Sequence, residues 1–293
     1  MPSPPPAEAG LVEIARAKLN LDLILTGRRP NGYHELDSVV AFADVGDRLS
    51  FAPAQDLRID CAGPFAADLP DGDGNIVRRA ALRLAEAAEV PARAAIRLEK
   101  RLPVASGIGG GSADAAAALR GLARMWRIPP DAPILARTAL ALGSDVLACL
   151  GSRSARMRGI GEVIEPLPSL PPFHLVLANP NIALSTPAVF ALVEPGLFGT
   201  RAGPIPATPD LAWLLGGRND LEVPARRLLP TVDEVLAALA DLPGCRLARM
   251  SGTGSTCFGV FDDGTAAAQA AGRLARSRPG WWVAPCTVGD PPA

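Results

Sequence analysis

Lysine is almost missing from this chain. Of 29 basic residues in 293, only Lys18 and Lys100 are lysines. Histidine is nearly as scarce, at His34 and His174, and Tyr33 is the single tyrosine. These shortages exclude much chemistry. Neither lysine follows a glycine, so the GK[ST] ending of a P-loop is absent. Neither histidine sits in an HRD, so protein-kinase signatures fail. There is no HExxH, no GxSxG and no Cys/His cluster, which removes metalloprotease, serine-hydrolase and zinc readings. The five cysteines (61, 149, 245, 257 and 286) form no CxxC and read as reduced, mostly buried thiols of a cytoplasmic protein. The net charge of −1 leaves no general basic surface for nucleic acid or an anionic membrane, so any phosphate binding must be local. No apolar run approaches a membrane span, because arginines interrupt the Ala/Leu-rich stretches, as in LRGLARMWR. The opening MPSPPPAEAG lacks the basic start and apolar core of a signal peptide, and residues 1–10 are expected to be a disordered tail.

What remains is a globular composition, 48% hydrophobic and 20% charged, long enough for one large or two medium domains. Strands are expected within 11–27 and at 37–43, 47–53, 57–61 and 93–99. Asn75 stands in N-cap position before the helical spacing of IVRRAALRLAEAAE. A second helix, SADAAAALRGLARMW, is capped by Gly111 or Ser112, and a third spans 131–142. A strand pair at 154–168 ends in PLPSLPP and marks a domain boundary, drawn between 163 and 164. Beyond it come a strand at 173–178, a helix opened by Thr186-Pro187, and helices near 219–228 and 230–241. A strand, SGTGST, another strand, a helix at 264–276 and a final strand follow. Mixed elements with more antiparallel than parallel character give α+β as the fold class.

Four glycines and two serines crowd into residues 106–112 of PVASGIGGGSADAAAAL, and a helix starts at once behind them. The first amides of that helix lack intrahelical partners, and its dipole is positive at that end. Glycines allow close approach, so a phosphate is the natural occupant. The dinucleotide fingerprint GxGxxG is not met, since Ser112 stands where its last glycine belongs. A flexible turn is the weaker alternative. The second glycine motif, SGTGST at 251–256, taken alone reads as a tight hairpin, but two such loops point to more than one phosphate group. In ALGSDVL, Asp145 is as well explained by capping or turn formation as by proton transfer from a substrate hydroxyl. The two lysines stand out as compact, tunable charges, although composition leaves an ordinary solvated role equally open.

ARAKLNLDLILTGRRPNGYHEL, PVASGIGGGSADAAAAL and SGTGST, in this order, resemble the three motifs of the GHMP kinases. The added pattern AKLNL, GYHEL, GNIVRRA, EKRLPVASGIGGGSADAA and LGSDV, spread over about 13–285, resembles one branch of that family. The resemblance implies a two-domain α+β architecture: a ribosomal-protein-S5-like α/β domain over 11–163 and a ferredoxin-like α+β domain over 164–293. It implies ATP and Mg²⁺ as cofactors and transfer of phosphate to the 2-hydroxyl of a cytidine-diphosphate-linked methylerythritol, a small-molecule substrate, with no nucleic acid, membrane or obligate protein partner. By matching position, Asp145 is the catalytic carboxylate and Lys18 its cationic partner. Asn20, two residues on and on the same strand face, orients the substrate diol. His34 reads the cytosine edge, Tyr33 and Phe190 sandwich the ring, and Thr186 lies beside them. For Phe190 alone, core packing at helical spacing would otherwise be favoured, and for Tyr33-His34 an exposed turn.

At the ATP end the resemblance implies Asn75 and Lys100 near the adenine. Around the phosphates it implies Pro103, Val104, Ala105, Ser106, Gly107, Ile108, Gly109, Gly110, Gly111, Ser112 and Ala113, with Gly252, Thr253 and Gly254 completing the site. Ser112 is also a candidate Mg²⁺ contact. Asp114 is explained at least as well by the helix dipole as by catalysis. Position 147 is Leu where the pattern expects Pro. The alternatives are a homoserine- or mevalonate-type kinase, and a non-catalytic nucleotide-binding regulator on the same fold.

Overall fold

The computed structural model describes residues 10–167, 170–207 and 209–290, so the expected tail at 1–9 lies outside the described residues. Strands β1 (Leu11–Asn20) and β2 (Ile24–Arg28) both pair antiparallel with β3 (His34–Ala52). β3 is one strand of 19 residues where the sequence reading expects two. Asp44-Val-Gly-Asp47 has turn composition, yet Gly46 instead lies beside a bulge in β1 between Arg16 and Lys18. A Cβ there would stand 2.4 Å from the Ala15 carbonyl oxygen, so glycine allows two strands to approach rather than the chain to reverse.

The first half continues with β4 (Leu57–Ala62), α1 (Ile76–Ala87), β5 (Ala94–Glu99), α2 (Gly110–Met125), α3 (Pro133–Leu142), α4 (Ser144–Gly151), β6 (Ala155–Gly159) and β7 (Val163–Pro166). The expected cap of α1 is present: the Asn75 side chain accepts from the Val77 amide. α2 begins earlier than expected, with Gly109 as its N-cap rather than Gly111 or Ser112. α4 is not anticipated by the sequence reading, because Gly143 ends one helix and caps the next. Leu147, in place of the expected Pro, lies within α4 and packs against the core. The boundary expected at 163/164 falls within β7, whose pairing with β6 extends to Pro166.

The second half holds β8 (Phe173–Asn179), α5 (Thr186–Ala191), α6 (Leu211–Leu215), α7 (Glu222–Leu228), α8 (Thr231–Ala240), β9 (Leu247–Met250), β10 (Cys257–Phe261), α9 (Gly264–Ser277) and β11 (Trp282–Val288). Among the described residues the strands join in the order β4-β5-β3-β11-β8-β10-β9, with β1, β2 and β6 also on β3. Among the described strands only β4 and β5 pair in parallel, so the molecule is α+β. The sheet crosses from one half to the other where Val288 of β11 pairs with Ala43 of β3, and a parallel bridge between Leu23 and Asn219 joins the halves again.

The first half has a buried core of its own, the core of the second half takes in Leu23 and Leu25 from the first, and a third core is shared. It collects Leu19, Leu21, Val39 and Ile108 from the first half with Leu175, Phe258 and Val288 from the second. α2 lies close on β1 and β3 because its inward face is small: Ala115 to Ala118 are fully buried. No helix among the described residues is long and apolar enough to cross a membrane.

Gly121 lets α2 pass over the Phe51 ring: a Cβ there would lie 2.3 Å from Phe51 Cζ. Gly121→Ala gains helix propensity of about 1 kcal/mol, but the forced shift of ring or helix costs about 1–3 kcal/mol. A net loss of stability is expected in urea unfolding, and an unchanged or raised midpoint would disprove the contact.

Candidate active site

The start of α2 is the centre of a cleft of about 610 Å³ between the two halves. With Gly109 as N-cap, at φ +63°, the residues of the first helical turn are Gly110, Gly111 and Ser112. All three line the cleft, and amides at these positions have no intrahelical acceptor. The Ala113 amide is different, since it already donates to the Gly109 carbonyl at 2.8 Å. Val104, Ala105, Ser106, Gly107 and Gly109 also line the cleft. Pro103, Ile108 and Ala113 are not on its wall: Ile108 is core, and the Pro103 carbonyl accepts from the Ser106 hydroxyl.

Lys18 is tied to this loop twice. Its amide donates to the Ile108 carbonyl at 2.9 Å, and its side chain runs past Gly109, where a Cβ would sit 3.1 Å from its own Cβ. The ammonium then meets Asp145 Oδ1 at 3.0 Å across 127 residues of sequence. Lys18 is buried, whereas the Asp145 side chain keeps 43% of its surface exposed. Asp145 stands in the first turn of α4, so its backbone is fixed while its carboxylate opens into the cleft.

SGTGST is locked to the same loop. The Ser251 hydroxyl donates to the Gly107 carbonyl at 3.1 Å and accepts from the Asn20 amide at 3.1 Å. The Thr256 amide donates to the Ser106 carbonyl at 3.0 Å. Gly107, at φ +77°, lies so close that a Cβ would stand 2.6 Å from the Gly254 carbonyl oxygen. Gly252 and Thr253 line the cleft and Gly254 is packed beneath it against Met250. Asn219 braces the loop by donating to the Met250 and Gly252 carbonyls, both at 2.8 Å. Ser251 and Asn219 escape the sequence reading. Ser251 at least carried a signal, as the first letter of a motif read only for its glycines.

Toward the other end of the cleft, Asn20 donates from Nδ2 to the Ser38 hydroxyl at 2.7 Å. Thr186 and Phe190, both on α5, line the same space, and the Thr186 and Thr253 hydroxyls are 3.0 Å apart. His34 is nearly buried and stacks on Phe190 with ring centres 5.3 Å apart. Phe198 leans on its other side at 5.9 Å. Burial, and after it the charge of Arg28, hold the imidazole below its ordinary pKa, so the ring is neutral at pH 7. Its Nε2 is buried without a hydrogen-bond partner, which marks it as a group that awaits one. Tyr33 is not brought to this cluster: it is 61% exposed at the turn, and the ring stacked on Phe190 is that of His34.

Lys100 departs most from expectation. It is 1% exposed, and its ammonium lies between Asp47 at 2.5 Å and Asp114 at 2.7 Å. Asp47 also accepts from the amides of Arg101 and Leu102. The ammonium therefore sits under Gly110, committed to a buried triad rather than free to meet a base. Asp114 is likewise no dipole charge of the first turn, but a buried member of the triad. Burial, and behind it the negative charge of Asp47, push the Asp114 carboxyl well above its ordinary value against the pull of Lys100. Asn75 instead lines a second cavity of about 520 Å³ with Ile59, Cys61, Pro70 and Arg78, and Leu69 borders both spaces.

The triad generates two expectations. Lys100→Met leaves two buried carboxyl groups without a cation and should cost about 3–5 kcal/mol in urea unfolding. Asp114→Asn keeps an acceptor for Lys100 and removes a carboxyl whose folded pKa is raised. Such a group favours folding below its unfolded pKa and loses that contribution as pH rises toward the folded value. The asparagine variant should therefore gain on the parent as pH rises above about 4, the ordinary carboxyl value, and a stability difference that stays constant with pH would contradict the raised carboxyl.

The sequence pattern of the GHMP kinases N terminal domain matches residues 75–153, and that of the GHMP kinases C terminal region matches 210–279. The chain is 52% identical over 279 residues to a 4-diphosphocytidyl-2-C-methyl-D-erythritol kinase of Paramagnetospirillum magneticum, covering 94% of this chain and 97% of that one. A protein of the same name from Parvibaculum lavamentivorans is also 52% identical, covering 93% and 96%. A crystal structure of 4-(cytidine 5'-diphospho)-2C-methyl-D-erythritol kinase superimposes with a TM-score of 0.78 and 35% identity, over 96% of this chain and all of that one. A homoserine kinase from Cytophaga hutchinsonii gives 0.67 at 18% identity, over 99% and 98% of the two chains, a likeness of fold alone.

Proposed function

Because this chain belongs to the GHMP kinases, we propose that its cleft carries out the phosphoryl transfer named for its half-identical relatives, with Lys18 and Asp145 at the reacting centre. The reaction is ATP-dependent phosphorylation of 4-diphosphocytidyl-2-C-methyl-D-erythritol on its 2-hydroxyl, a step of isoprenoid precursor synthesis. The products are ADP and the 2-phosphate. The observation that carries the residue assignment is the Lys18–Asp145 pair at 3.0 Å, opening into the same cleft as the first turn of α2.

Each part has one task. The amides of Gly110, Gly111 and Ser112, with the positive end of a 16-residue helix behind them, hold the phosphates. Asp145 accepts the proton of the 2-hydroxyl as that oxygen attacks the γ-phosphorus. The Lys18 ammonium orients the carboxylate and offsets charge on the attacking oxygen. Most of the acceleration comes from positioning and charge stabilisation. Asn20, held by Ser38, bonds the substrate diol. His34 meets the cytosine edge through Nε2, Phe190 covers the ring and Thr186 lies alongside. Tyr33, exposed at the turn beside His34, covers the side of the base away from Phe190.

The second cavity, with Asn75 on its wall, suits the adenine, and its border at Leu69 joins it to the phosphate loop. Mg²⁺ belongs to the same reading. Among the described residues no cluster of three His, Cys, Asp or Glu side chains gathers. Such an ion would therefore be held largely by nucleotide phosphate oxygens and water, with the Ser112 hydroxyl as the protein donor and neutralisation of phosphate charge as its contribution. The five free thiols fit a reducing cytoplasm. We divide the chain into two domains just beyond β7, each built around a buried core, the second of which also takes in Leu23 and Leu25.

Asp145→Asn should lower kcat by about 10²–10⁴-fold with ATP affinity retained. Steady-state kinetics with Mg-ATP and the cytidine substrate, together with nucleotide titration, test this; unchanged turnover refutes the role. His34→Ala should raise the KM for the cytidine substrate and spare that for ATP. Turnover of homoserine or mevalonate in preference to the cytidine compound would overturn the substrate assignment.

A further inference from the structure

Between α5 and α6 the chain makes a long crossing, and Arg201 on it is drawn into the first half of the molecule. Its guanidinium is 10% exposed. It pairs with both oxygens of Asp22 and reaches both oxygens of Asp37, at 3.0 and 3.4 Å. Arg156, from β6, grips Asp37 as well, at 2.6 and 2.9 Å. Burial pushes the Asp37 carboxyl up, but hydrogen bonds from Arg156 and Arg201 outweigh it and hold the pKa below its ordinary value. Two residues before Arg201, the Gly199 amide donates to the Leu25 carbonyl at 2.8 Å. Three residues before it, Phe198 leans on His34.

The carboxylate side of this cluster leads back to the cleft. Ser38 follows Asp37 on β3, and its hydroxyl donates to the Asp22 carbonyl at 2.5 Å while accepting from Asn20 Nδ2 at 2.7 Å. Asp22 Oδ1 also accepts from the Val39 amide at 2.8 Å. The orientation of Asn20 thus depends on the two residues that Arg201 joins. The planar fork of arginine suits two carboxylates at once, which a point charge cannot match.

We propose that Arg201 is a positioning residue for the base-reading side of the cleft. It pins the segment that seats Phe198 against His34, and it fixes the Asp22–Asp37–Ser38 frame that aims Asn20. It touches no reacting atom. Its influence is on which base is accepted and how tightly the substrate is held. This rests on the assignment of His34 to the cytosine.

The test compares Arg201→Met and Arg201→Lys with the parent enzyme, using the cytidine substrate and its uridine counterpart. Arg201→Met should raise the KM for the cytidine substrate about tenfold and reduce the cytidine-over-uridine preference in kcat/KM by a similar factor, with the KM for ATP within about twofold. Arg201→Lys keeps the charge without the fork and should recover part of both. If Arg201→Met does not fold, the lysine variant alone carries the comparison. A lower Tm with KM and base preference at parent values would show a simple brace and overturn the proposal. His34→Ala separates the two levels. If it leaves base preference unchanged, the base assignment falls and the proposal with it. If it shifts the preference and neither Arg201 variant does, the proposal alone falls.

Discussion

The site depends on one backbone hydrogen bond, from the Lys18 amide to the Ile108 carbonyl. It fastens the glycine loop to β1 near that strand's C-terminal end and so sets where α2 begins relative to the ammonium of the same lysine. The Ser251 hydroxyl repeats the arrangement from the other half, bonding Gly107 on one side and the Asn20 amide on the other. Two loops that would each be floppy alone become one surface. Their stiffness comes from main-chain contacts so close that glycine is required at the crossing.

The two lysines divide the electrostatic work. Lys18 faces the cleft and shares its charge with a half-exposed carboxylate, an arrangement in which the partner stays open to the cleft. Lys100 is spent inward, beneath the first turn of α2, neutralising two buried acids. A buried cation is costly to strand, so the triad anchors β3, the end of β5 and α2 as a unit. Arginine carries nearly every other ion pair, including those of Arg201, where two carboxylates are met by one planar group.

The sequence made the chemistry more legible than the architecture around it. Periodicity located most strands and helices, and the glycine motifs led to the loop that lines the cleft because their physical reason is local. β3 was read as two strands since Gly46 looks like a turn when the opposing bulge in β1 is out of sight. α4 was hidden because Gly143 serves both as a stop and as a cap. Family membership, read from ordered motifs, is borne out by relatives at half identity across nearly the whole chain. The buried triad of Lys100 was not legible because burial is a tertiary property: a lysine beside a glycine loop invites a role with nucleotide, and nothing nearby announces Asp47, 53 residues away. Arg201, Asp22 and Asp37 were silent for the same reason.

Strand β11 follows every other strand in sequence yet takes a place between β3 and β8. During synthesis the first half emerges long before it, with one edge of β3 still open opposite Ala43. The shared core, which includes Val288, cannot close until β11 arrives. A chain without β11 would leave that edge of β3 unpaired and the shared core short of Val288, an open edge of the kind that recruits other strands.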